Sequence, residues 1–351
     1  MRKLDHGRIT LKDVALQTGY TANTVSRALR GDTKLPATTR AHICKIADEM
    51  GYIRNQLASN LRSGTSHTVA VIVNDIQNSH FALMLGEMES ALREAGYSMT
   101  ILCTHQEEAL ADKMLEVAIS QRVDGILYFP FHSNRKHIDY LQQNRVPFVL
   151  LDRWIPGVFV DTARCDDEMG GYLAGQRLAM LGHRRFLFFC GTLNNSSQHD
   201  RLSGFLRSIS DAGIPEENVR IIPDETVDQA VRSGTLVKLL YPRDYTAIVS
   251  FCDEQGYHIL QALQSEGIRV PEELSIISFD HIRSGIPFLP PLSSIAEADR
   301  QVAYTSVQLL LNRMRNPEVP VQIEVLPVKI YDEGTIGPAP QKNKRIKKAA
   351  E

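Results

Sequence analysis

The stretch DVALQTGYTANTVSRALRG, residues 13–31, combines a glycine with a run of small polar side chains close to the amino end of the chain. Gly19 permits the positive φ that a sharp turn between two helices requires. Ala15 is small enough to let the two helices cross closely, and Val25 places an apolar side chain beneath the crossing. This pattern predicts a helix-turn-helix, whose second helix enters the major groove of DNA.

The side chains of the predicted second helix suit a DNA contact. Thr21 is a favoured N-cap residue, and it would start that helix. Asn23 can pair with adenine, Arg27 can bind guanine or phosphate, and hydroxyl side chains suit phosphate. The exposed set would be Ala22, Asn23, Thr24, Ser26 and Arg27. An ordinary helical hairpin with a polar face remains the alternative for this stretch taken alone.

The surrounding residues 10–53 are typical of three short helices. Thr10 followed by Asp13 three positions later resembles a capping box at the start of the first helix. Gly51 follows the last apolar residue of the third helix, where a glycine commonly ends a helix. Together these signals predict a small all-α domain over residues 1–54.

The charge distribution separates this predicted domain from the rest of the chain. Residues 1–67 carry eleven Lys and Arg against five Asp and Glu, whereas the whole chain has a formal net charge of −2. A basic head on an acidic body indicates a polyanionic partner for the head alone. The second basic segment is residues 334–351, which we expect to be a disordered tail.

The bulk composition indicates an ordinary globular protein with room for two or three domains. The 351 residues are 43% hydrophobic and 23% charged, which excludes wholesale disorder. No apolar run reaches the roughly 18 residues that a membrane span needs, and no apolar stretch follows the basic N-terminus as in a secretory signal. The five cysteines have no CxxC spacing, so we expect free thiols in a reducing cytoplasm and neither a disulfide nor a metal site.

From His67 onward the sequence alternates between apolar, strand-like runs and amphipathic helical segments. VAVIVND, residues 69–75, is the first run, and RRFLFFCG, residues 184–191, opens a second series of the same kind. This alternation predicts an α/β fold of parallel βαβ units with helices on both faces. Each series contains a helix that ends in Ala-Gly, at Ala95-Gly96 and at Ala212-Gly213, which indicates a weak internal repeat.

Two similar open sheets side by side would leave a cleft at the carboxyl ends of their strands, where small ligands bind. We therefore expect a domain that binds a small ligand over residues 67–333, made of two subdomains. The expected subdomains are residues 67–163 with 293–320, and residues 164–292 with 321–333. Residues 55–66 are polar, with leucines at helical spacing, and predict a hinge helix or linker.

Several segments together resemble the lactose-repressor (LacI) family of bacterial transcription factors. The resemblance runs from TLKDVALQTGYTANTVSRALRG through VDGILYFP, VPFVLLDR, RLSGF and GIRVPEELSIISFD to PPLSSI, and covers roughly residues 9–333. It implies a helix-turn-helix head and a periplasmic-binding-protein-like body with parallel sheets. It also implies a homodimer that binds a near-palindromic operator in double-stranded DNA and that a small metabolite controls.

The resemblance places the DNA contacts in the head and in the hinge. Ala22 and Asn23 fall where family members read bases, and Leu61 falls where the family inserts a leucine into the minor groove. Arg54 and Ser59 depart from the family's usual proline and arginine in the hinge. The expected contacts are Thr10, Thr21, Ala22, Asn23, Thr24, Ser26, Arg27, Asn55, Ala58, Leu61 and Arg62.

The resemblance also implies that effector contacts come from loops at the strand ends. An arginine fork can donate to two ligand oxygens, carboxylates accept from vicinal hydroxyls, and a ring covers an apolar ligand face. The expected contacts are Asp75, His80, Phe81, Arg153, Arg201, Asp253 and Asp280. Capping of a following helix is the alternative role for Asp75 and Asp253. Asp224 and Glu225 stand where many relatives carry a stacking aromatic, which favours a sugar or sugar derivative over a nucleobase, although the two arginines equally suit a carboxylate or phosphate.

These observations predict a ligand-responsive, sequence-specific transcriptional regulator, by default a repressor, without a cofactor. No P-loop, GxGxxG, HExxH or GxSxG motif is present, which argues against an enzyme. A periplasmic-type binding protein is the alternative, but it would have a secretory signal and lack the basic head. We expect dimer contacts at the apolar faces around Met84–Met88 and Ile259–Leu263, no membrane association, and a location at the nucleoid.

Overall fold

The computed structural model describes residues 9–53, 64–130, 135–191, 195–240, 244–298 and 300–340. The chain divides into two compact units, one up to Ser66 and one from His67 onward. We call them the head and the body. The division coincides with the change in sequence character at His67.

The head contains three helices, α1 (Leu11–Thr18), α2 (Ala22–Leu29) and α3 (Ala37–Glu49). Its core consists of the fully or almost fully buried side chains Val14, Val25, Ala28, Ile43 and Ala47. Gly19 ends α1 with φ of 74°, in the left-handed region, which is the conformation predicted for the turn between α1 and α2.

The body contains two six-stranded sheets covered by helices. Its strands are β1 (Thr68–Val73), β2 (Ser98–Cys103), β3 (Gly125–Tyr128), β4 (Phe148–Leu151), β5 (Thr162–Cys165), β6 (Phe186–Phe189), β7 (Val219–Ile222), β8 (Ala247–Ser250), β9 (Ser275–Phe279), β10 (Ser294–Glu297), β11 (Ile323–Leu326) and β12 (Val328–Tyr331). Its α-helices are α4 (Ser79–Glu94), α5 (Glu108–Ser120), α6 (Lys136–Gln143), α7 (Asp167–Met180), α8 (Ser196–Asp211), α9 (Asp224–Arg232), α10 (Asp253–Ser265) and α11 (Gln301–Arg315).

The strand order confirms the predicted α/β fold class. The first sheet has the order β11-β5-β4-β3-β1-β2 and is parallel throughout. The second has the order β12-β10-β9-β8-β6-β7, in which only β12 runs antiparallel to its neighbour β10. Central strands such as β3, β6 and β8 are buried along their whole length, because helices cover both faces of a parallel sheet.

The internal repeat is visible in the caps of two helices. Ala95 and Ala212 are the C-cap residues of α4 and α8, and the glycine that follows each has a positive φ, 83° at Gly96 and 66° at Gly213. Both helices therefore end with the same left-handed glycine before the chain enters the next strand.

The chain crosses between the two sheets at different places from those predicted. β10 (Ser294–Glu297) lies in the second sheet beside β9, and β11 (Ile323–Leu326) lies in the first sheet beside β5. The expected assignment of residues 293–320 to the first subdomain and 321–333 to the second is therefore wrong at both ends. A short apolar strand fits either of two similar sheets, and only the pairing partner distinguishes them.

The expected tail also begins later than residue 334. Thr335 and Ile336 are each only 7% exposed. Thr335 Oγ1 donates to the Ile276 carbonyl at 2.8 Å, and Gly337 N–H donates to Ser275 Oγ at 3.0 Å. These bonds hold the segment against β9, so the prediction of a disordered tail is wrong for residues 334–340. Residues 341–351 lie outside the described chain.

The apolar faces expected to make dimer contacts are instead parts of the core. Met84 and Met88 of α4 pack with the first sheet and α11, and are 1% and 0% exposed. Ile259 and Leu263 of α10 are fully buried against the second sheet. A single helix period does not show whether an apolar face packs on its own sheet or on another chain.

Within the described ranges, no helix combines the length and the apolar character needed to cross a membrane.

Candidate functional site

The start of each of the first two head helices is fixed by threonine. Thr10 donates through both its backbone N–H and Oγ1 to Asp13 Oδ2, at 2.8 and 2.7 Å. Thr21 Oγ1 accepts a hydrogen bond from Thr24 N–H at 3.2 Å, which confirms Thr21 as the N-cap of α2. The two hydroxyls of Thr21 and Thr24 are also 3.0 Å apart, so the first turn of α2 is tied together by side chains.

The helix α2 has one buried face and one polar face. Val25 and Ala28 are buried, whereas Asn23 is exposed and Ser26 is partly exposed. Asn23 and Ser26 lie three residues apart, so they share the outer face of α2 with Arg27. A helix with this distribution packs on its own domain through one side and presents hydrogen-bonding groups on the other.

Arg27 is oriented by an ion pair that the sequence analysis missed. Its Nε donates to Asp32 Oδ2 at 2.8 Å, and its side chain is 36% exposed. This hydrogen bond from Arg27 lowers the pKa of Asp32, so the carboxylate stays ionised. Within the described residues, the Arg27 side chain donates a hydrogen bond to Asp32 alone. Both of its Nη groups can therefore donate to DNA. The expected hinge contacts Asn55, Ala58, Leu61 and Arg62 lie outside the described residues.

The body has a cavity of about 340 Å³ at the carboxyl ends of strands from both sheets. This is the edge at which open parallel sheets bind small ligands. Six of the seven side chains expected to contact an effector line it: Asp75, His80, Phe81, Arg153, Arg201 and Asp280.

Asp253 is the exception, and its expected place in the cavity is wrong. The side chain is 1% exposed, and its two oxygens accept hydrogen bonds from Ile282 N–H at 2.9 Å and Ser294 Oγ at 2.8 Å. Burial raises the pKa of Asp253 to about 7. The carboxyl group therefore fixes the turn that follows β9 instead of facing a ligand or capping its own helix.

Arg201 is the most highly coordinated cation of the cavity. Its Nε donates to Asp167 Oδ1 at 2.7 Å, Nη1 to the Phe251 carbonyl at 2.6 Å, and Nη2 to Asp280 Oδ1 at 3.4 Å. The guanidinium also lies 4.4 Å from the centre of the Phe279 ring and 5.0 Å from that of Phe251. Although burial opposes it, the charge of Asp167 raises the pKa of Arg201, so the group is a permanent cation.

Glycine residues bring Arg201 and Asp167 together by allowing α7 and α8 to touch. A Cβ atom added at Gly171 of α7 would lie 1.9 Å from the Arg201 carbonyl oxygen. A Cβ atom added at Gly204 of α8 would lie 1.9 Å from the Glu168 carbonyl oxygen. No side chain fits at either position, so backbone contact sets the distance between the two charged residues.

His80 and Asp152 form a second buried pair, and the sequence analysis missed Asp152. The Nε2 of His80 is 2.8 Å from Asp152 Oδ2, and the two side chains are 18% and 16% exposed. Although burial opposes it, the negative charges of Asp280 and Asp152 raise the pKa of His80 to about 9. His80 is therefore charged at neutral pH and lies among carboxylates from both sheets.

The segment after β4 joins the first sheet to the second. Trp154 Nε1 donates to Asp200 Oδ2 at 2.7 Å, and Trp154 N–H donates to Ser196 Oγ at 2.9 Å. Asp200 and Ser196 belong to α8, which packs on the second sheet. These bonds place Arg153, which precedes Trp154, at the wall of the cavity.

Five amide side chains also line the cavity, and the sequence analysis missed them. They are Asn74, Asn78, Gln106, Asn195 and Gln255. Asn78 Oδ1 accepts from His80 N–H and Asn195 Oδ1 from Ser197 N–H, each at 2.9 Å, so these two residues cap α4 and α8. An asparagine between a buried strand and a helix was the signal that could have found them.

Asp75, Cys103 and His105 bring one oxygen, one sulfur and one nitrogen within 4.8 Å of one another beside the cavity. Asp75 Oδ1 already accepts from Gln77 N–H at 2.9 Å, and His105 is exposed. The five cysteines are unpaired, as expected. The absence of a metal or cofactor stays a prediction.

Two comparisons with protein families divide the chain as the structure does. Residues 10–55 match the family described as "Bacterial regulatory proteins, lacI family". Residues 176–336 match the "Periplasmic binding protein-like domain". The first match covers the three helices of the head, and the second covers the chain from α7 to the segment that packs on β9.

Individual proteins show a similarity that extends over most of the chain. The chain is 28% identical to the HTH-type transcriptional repressor PurR of Aliivibrio salmonicida over 309 residues, which are 88% of this chain and 92% of that protein. A LacI family transcriptional regulator from Enterococcus faecium with bound ribose is 26% identical, with a TM-score of 0.68 over 77% of this chain and 99% of that one. A lac repressor dimer bound to operator, 21% identical, shares the fold with a TM-score of 0.80 over 94% of this chain and 100% of that one.

Proposed function

We propose that this chain, which belongs to the lacI family of bacterial regulatory proteins, represses transcription as a homodimer on a near-palindromic operator. A ligand-responsive, DNA-binding transcriptional regulator is the function that its similarity to repressors and to sugar-bound regulators shows. The observation that carries the proposal is the presence, in one chain, of an exposed polar helix in the head and a ligand-sized polar cavity in the body.

The head would bind DNA through the outer face of α2. Asn23 would read base edges, Arg27 would bind a base or a phosphate through its free Nη groups, and Thr10 and Thr21 would position the domain on the backbone. In a homodimer, two such helices would reach half-sites about one helical turn apart. The structure of a lac repressor dimer on its operator supports this arrangement by analogy of fold.

The body would bind a sugar or a sugar derivative as its effector. The ribose-bound regulator from Enterococcus faecium supports this class of ligand. The cavity fits it chemically, since carboxylates, amides and guanidinium groups can bind several hydroxyls, and the rings of Phe81 and Phe251 can cover an apolar ligand face.

Coupling between the two sites would use the relative position of the two sheets. His80 and Arg153 follow strands of the first sheet, whereas Arg201 and Asp280 belong to the second, so a ligand held by all four would favour one arrangement of the sheets. A ligand changes an equilibrium only by its different affinity for the two states. We place this regulator in the bacterial cytoplasm at the nucleoid, and we assign it no catalytic activity.

The test is a gel-shift experiment with the full chain and DNA fragments from upstream of its own gene and of neighbouring genes. We expect one fragment to bind well above random duplex at moderate salt, and its affinity to fall steeply as salt rises. Asn23→Ala should reduce this preference, whereas Lys45→Ala on the exposed side of α3 should not. A chain that binds every duplex equally would contradict the proposal.

A further inference from the structure

Arg153 differs from the other two buried cations of the cavity in having no carboxylate partner. Its Nη1 donates to the Pro130 carbonyl at 3.0 Å, and no Asp or Glu oxygen of the described chain lies within 4.0 Å of its guanidinium. Burial lowers the pKa of Arg153, although the negative charge of Asp152 opposes this shift. Within the described chain, Arg153 therefore carries its charge without a carboxylate at ion-pair distance.

The three carboxylates nearest to this part of the cavity bind other cations. Asp152 is 2.8 Å from the imidazole of His80. Asp167 and Asp280 are 2.7 and 3.4 Å from the guanidinium of Arg201. Each of the three lies at hydrogen-bond or ion-pair distance from His80 or Arg201, and none of them lies within that distance of Arg153.

We propose that the cavity takes a small polyhydroxy compound that carries a carboxylate or a phosphate, and that this anionic group binds the guanidinium of Arg153. This inference rests on the proposed function, because it names the class of effector for the same cavity. A planar guanidinium with free donors binds both kinds of anion through two parallel hydrogen bonds.

The rest of the lining suits the hydroxyl-bearing part of such a molecule. Asp75 at the end of β1 can accept from hydroxyls, and the amides of Asn78, Asn195 and Gln255 can donate or accept. Asn74, which is 2% exposed, has an Oδ1 atom without a hydrogen-bond partner in the part of the chain that the structure describes. A bound hydroxyl could satisfy that oxygen. The cavity of about 340 Å³ is large enough for a molecule of this kind.

The first experiment uses inorganic phosphate as the probe. Trp154 is the chain's single tryptophan and directly follows Arg153, so its fluorescence reports on this part of the cavity. The full chain is titrated with phosphate against chloride at constant ionic strength. We expect a saturable change in fluorescence for the wild type. The affinity for phosphate should be at least about tenfold weaker in Arg153→Gln and intermediate in Arg153→Lys. The control Arg93→Gln, at a 65% exposed arginine of α4, should behave as the wild type.

A wild type without a saturable response would overturn the inference, and so would a response that Arg153→Gln leaves unchanged. Thermal unfolding of each variant shows whether the fold survives the substitution. Loss of the phosphate response in a folded Arg153→Gln variant supports the inference.

The second experiment separates carboxylate from phosphate and the inference from the proposed function. Glucose, glucuronate and glucose 6-phosphate, and ribose with ribose 5-phosphate, are compared by the rise in Tm. The inference is supported if a charged sugar raises Tm more than the corresponding neutral sugar and if Arg153→Gln removes this difference. The charged sugar that does so identifies the anion. A neutral sugar that stabilises equally and alters operator binding overturns the inference but keeps the proposed function. If none of these sugars changes Tm, the phosphate titration alone decides whether Arg153 binds an anion.

Discussion

The outer face of α2 and the cavity of the body are both rich in polar side chains, but they hold their charges differently. On α2 the Arg27–Asp32 ion pair is partly exposed to water, at 36% and 29%. In the cavity the Arg201–Asp167 pair is 11% and 6% exposed, and the guanidinium also binds a carbonyl and lies over two rings.

This difference indicates two kinds of energetic role. A partly exposed ion pair contributes little to stability, because water solvates each partner when the other is removed. A buried pair leaves an uncompensated charge when one partner is lost. Substitutions on α2 should therefore affect binding while sparing the fold, whereas substitutions at the cavity should affect both.

The largest effect expected is that of Arg201→Ala. Removing the guanidinium leaves Asp167 without its ion-pair partner and Asp280 with His80 as its remaining nearby cation, so the free energy of unfolding of the body should fall by about 3–5 kcal/mol. Urea unfolding measures it. Arg93→Ala, which breaks the exposed i,i+4 pair with Glu89, is the matched control and should change stability by less than about 0.5 kcal/mol. Equal effects of the two substitutions would remove the distinction between buried and exposed pairs.

His80 gives the cavity a dependence on pH that the α2 face should lack. Its folded pKa of about 9 exceeds its ordinary value of 6.5, so its stabilising contribution is complete below about pH 6.5 and disappears as the pH rises through 9. The loss should be at most about 3 kcal/mol. Asp253, whose pKa is about 7, affects stability mainly between pH 4 and 7, below this window.

Urea unfolding at a series of pH values between 7 and 9 measures this loss. In His80→Gln the fall in stability between pH 7 and 8 should largely vanish, whereas His199→Gln, at a 73% exposed histidine, should keep it. Above pH 8, buried thiols such as Cys190 and Cys252 add a loss of their own, because burial raises their pKa. A fall that persists in His80→Gln would assign the dependence to another group.

Gly171→Ala tests whether backbone contact positions Arg201. The new Cβ would clash with the Arg201 carbonyl oxygen, so we expect a loss of about 1–3 kcal/mol and a weaker response to ligand. Gly86→Ala is the control, because no atom lies within 4 Å of the added Cβ, and there alanine should stabilise α4 by up to about 1 kcal/mol. If both substitutions changed the free energy of unfolding in the same direction, the result would contradict the packing of α7 on α8.

Arg27→Ala should have the smallest effect on stability and a clear effect on DNA. The partly exposed pair with Asp32 contributes little to stability, so Tm should change little. Operator affinity should fall at least about tenfold, as expected for a lost base or phosphate contact. Fluorescence anisotropy with a labelled duplex measures the affinity. An unchanged affinity would exclude α2 as the reading helix.

The same contrast explains how far the sequence predicts the molecule. The turn at Gly19, the cap at Thr21 and the polar face of α2 depend on residues within a few positions of one another, and local chemistry predicts them. The alternation of strands and helices likewise predicts the fold class, because each βα unit is a local pattern.

The cavity depends on residues far apart in the chain, and there the sequence predicts less. Asp253 follows β8 much as Asp75 follows β1, yet only Asp75 lines the cavity, since the turn after β9 binds Asp253 instead. Asp152 lies beside the predicted Arg153, but its partner His80 is 72 residues away. The assignment of β10 and β11 to their sheets depends in the same way on distant pairing.

The measurement that tests the central claim most directly is operator binding by the full chain at increasing concentrations of a metabolite that raises its Tm. If the head binds DNA and the body senses that metabolite, the affinity for the operator will change saturably, and Arg201→Ala will abolish this change while the head still binds. Operator affinity that stays constant while the metabolite saturates the body would contradict the account.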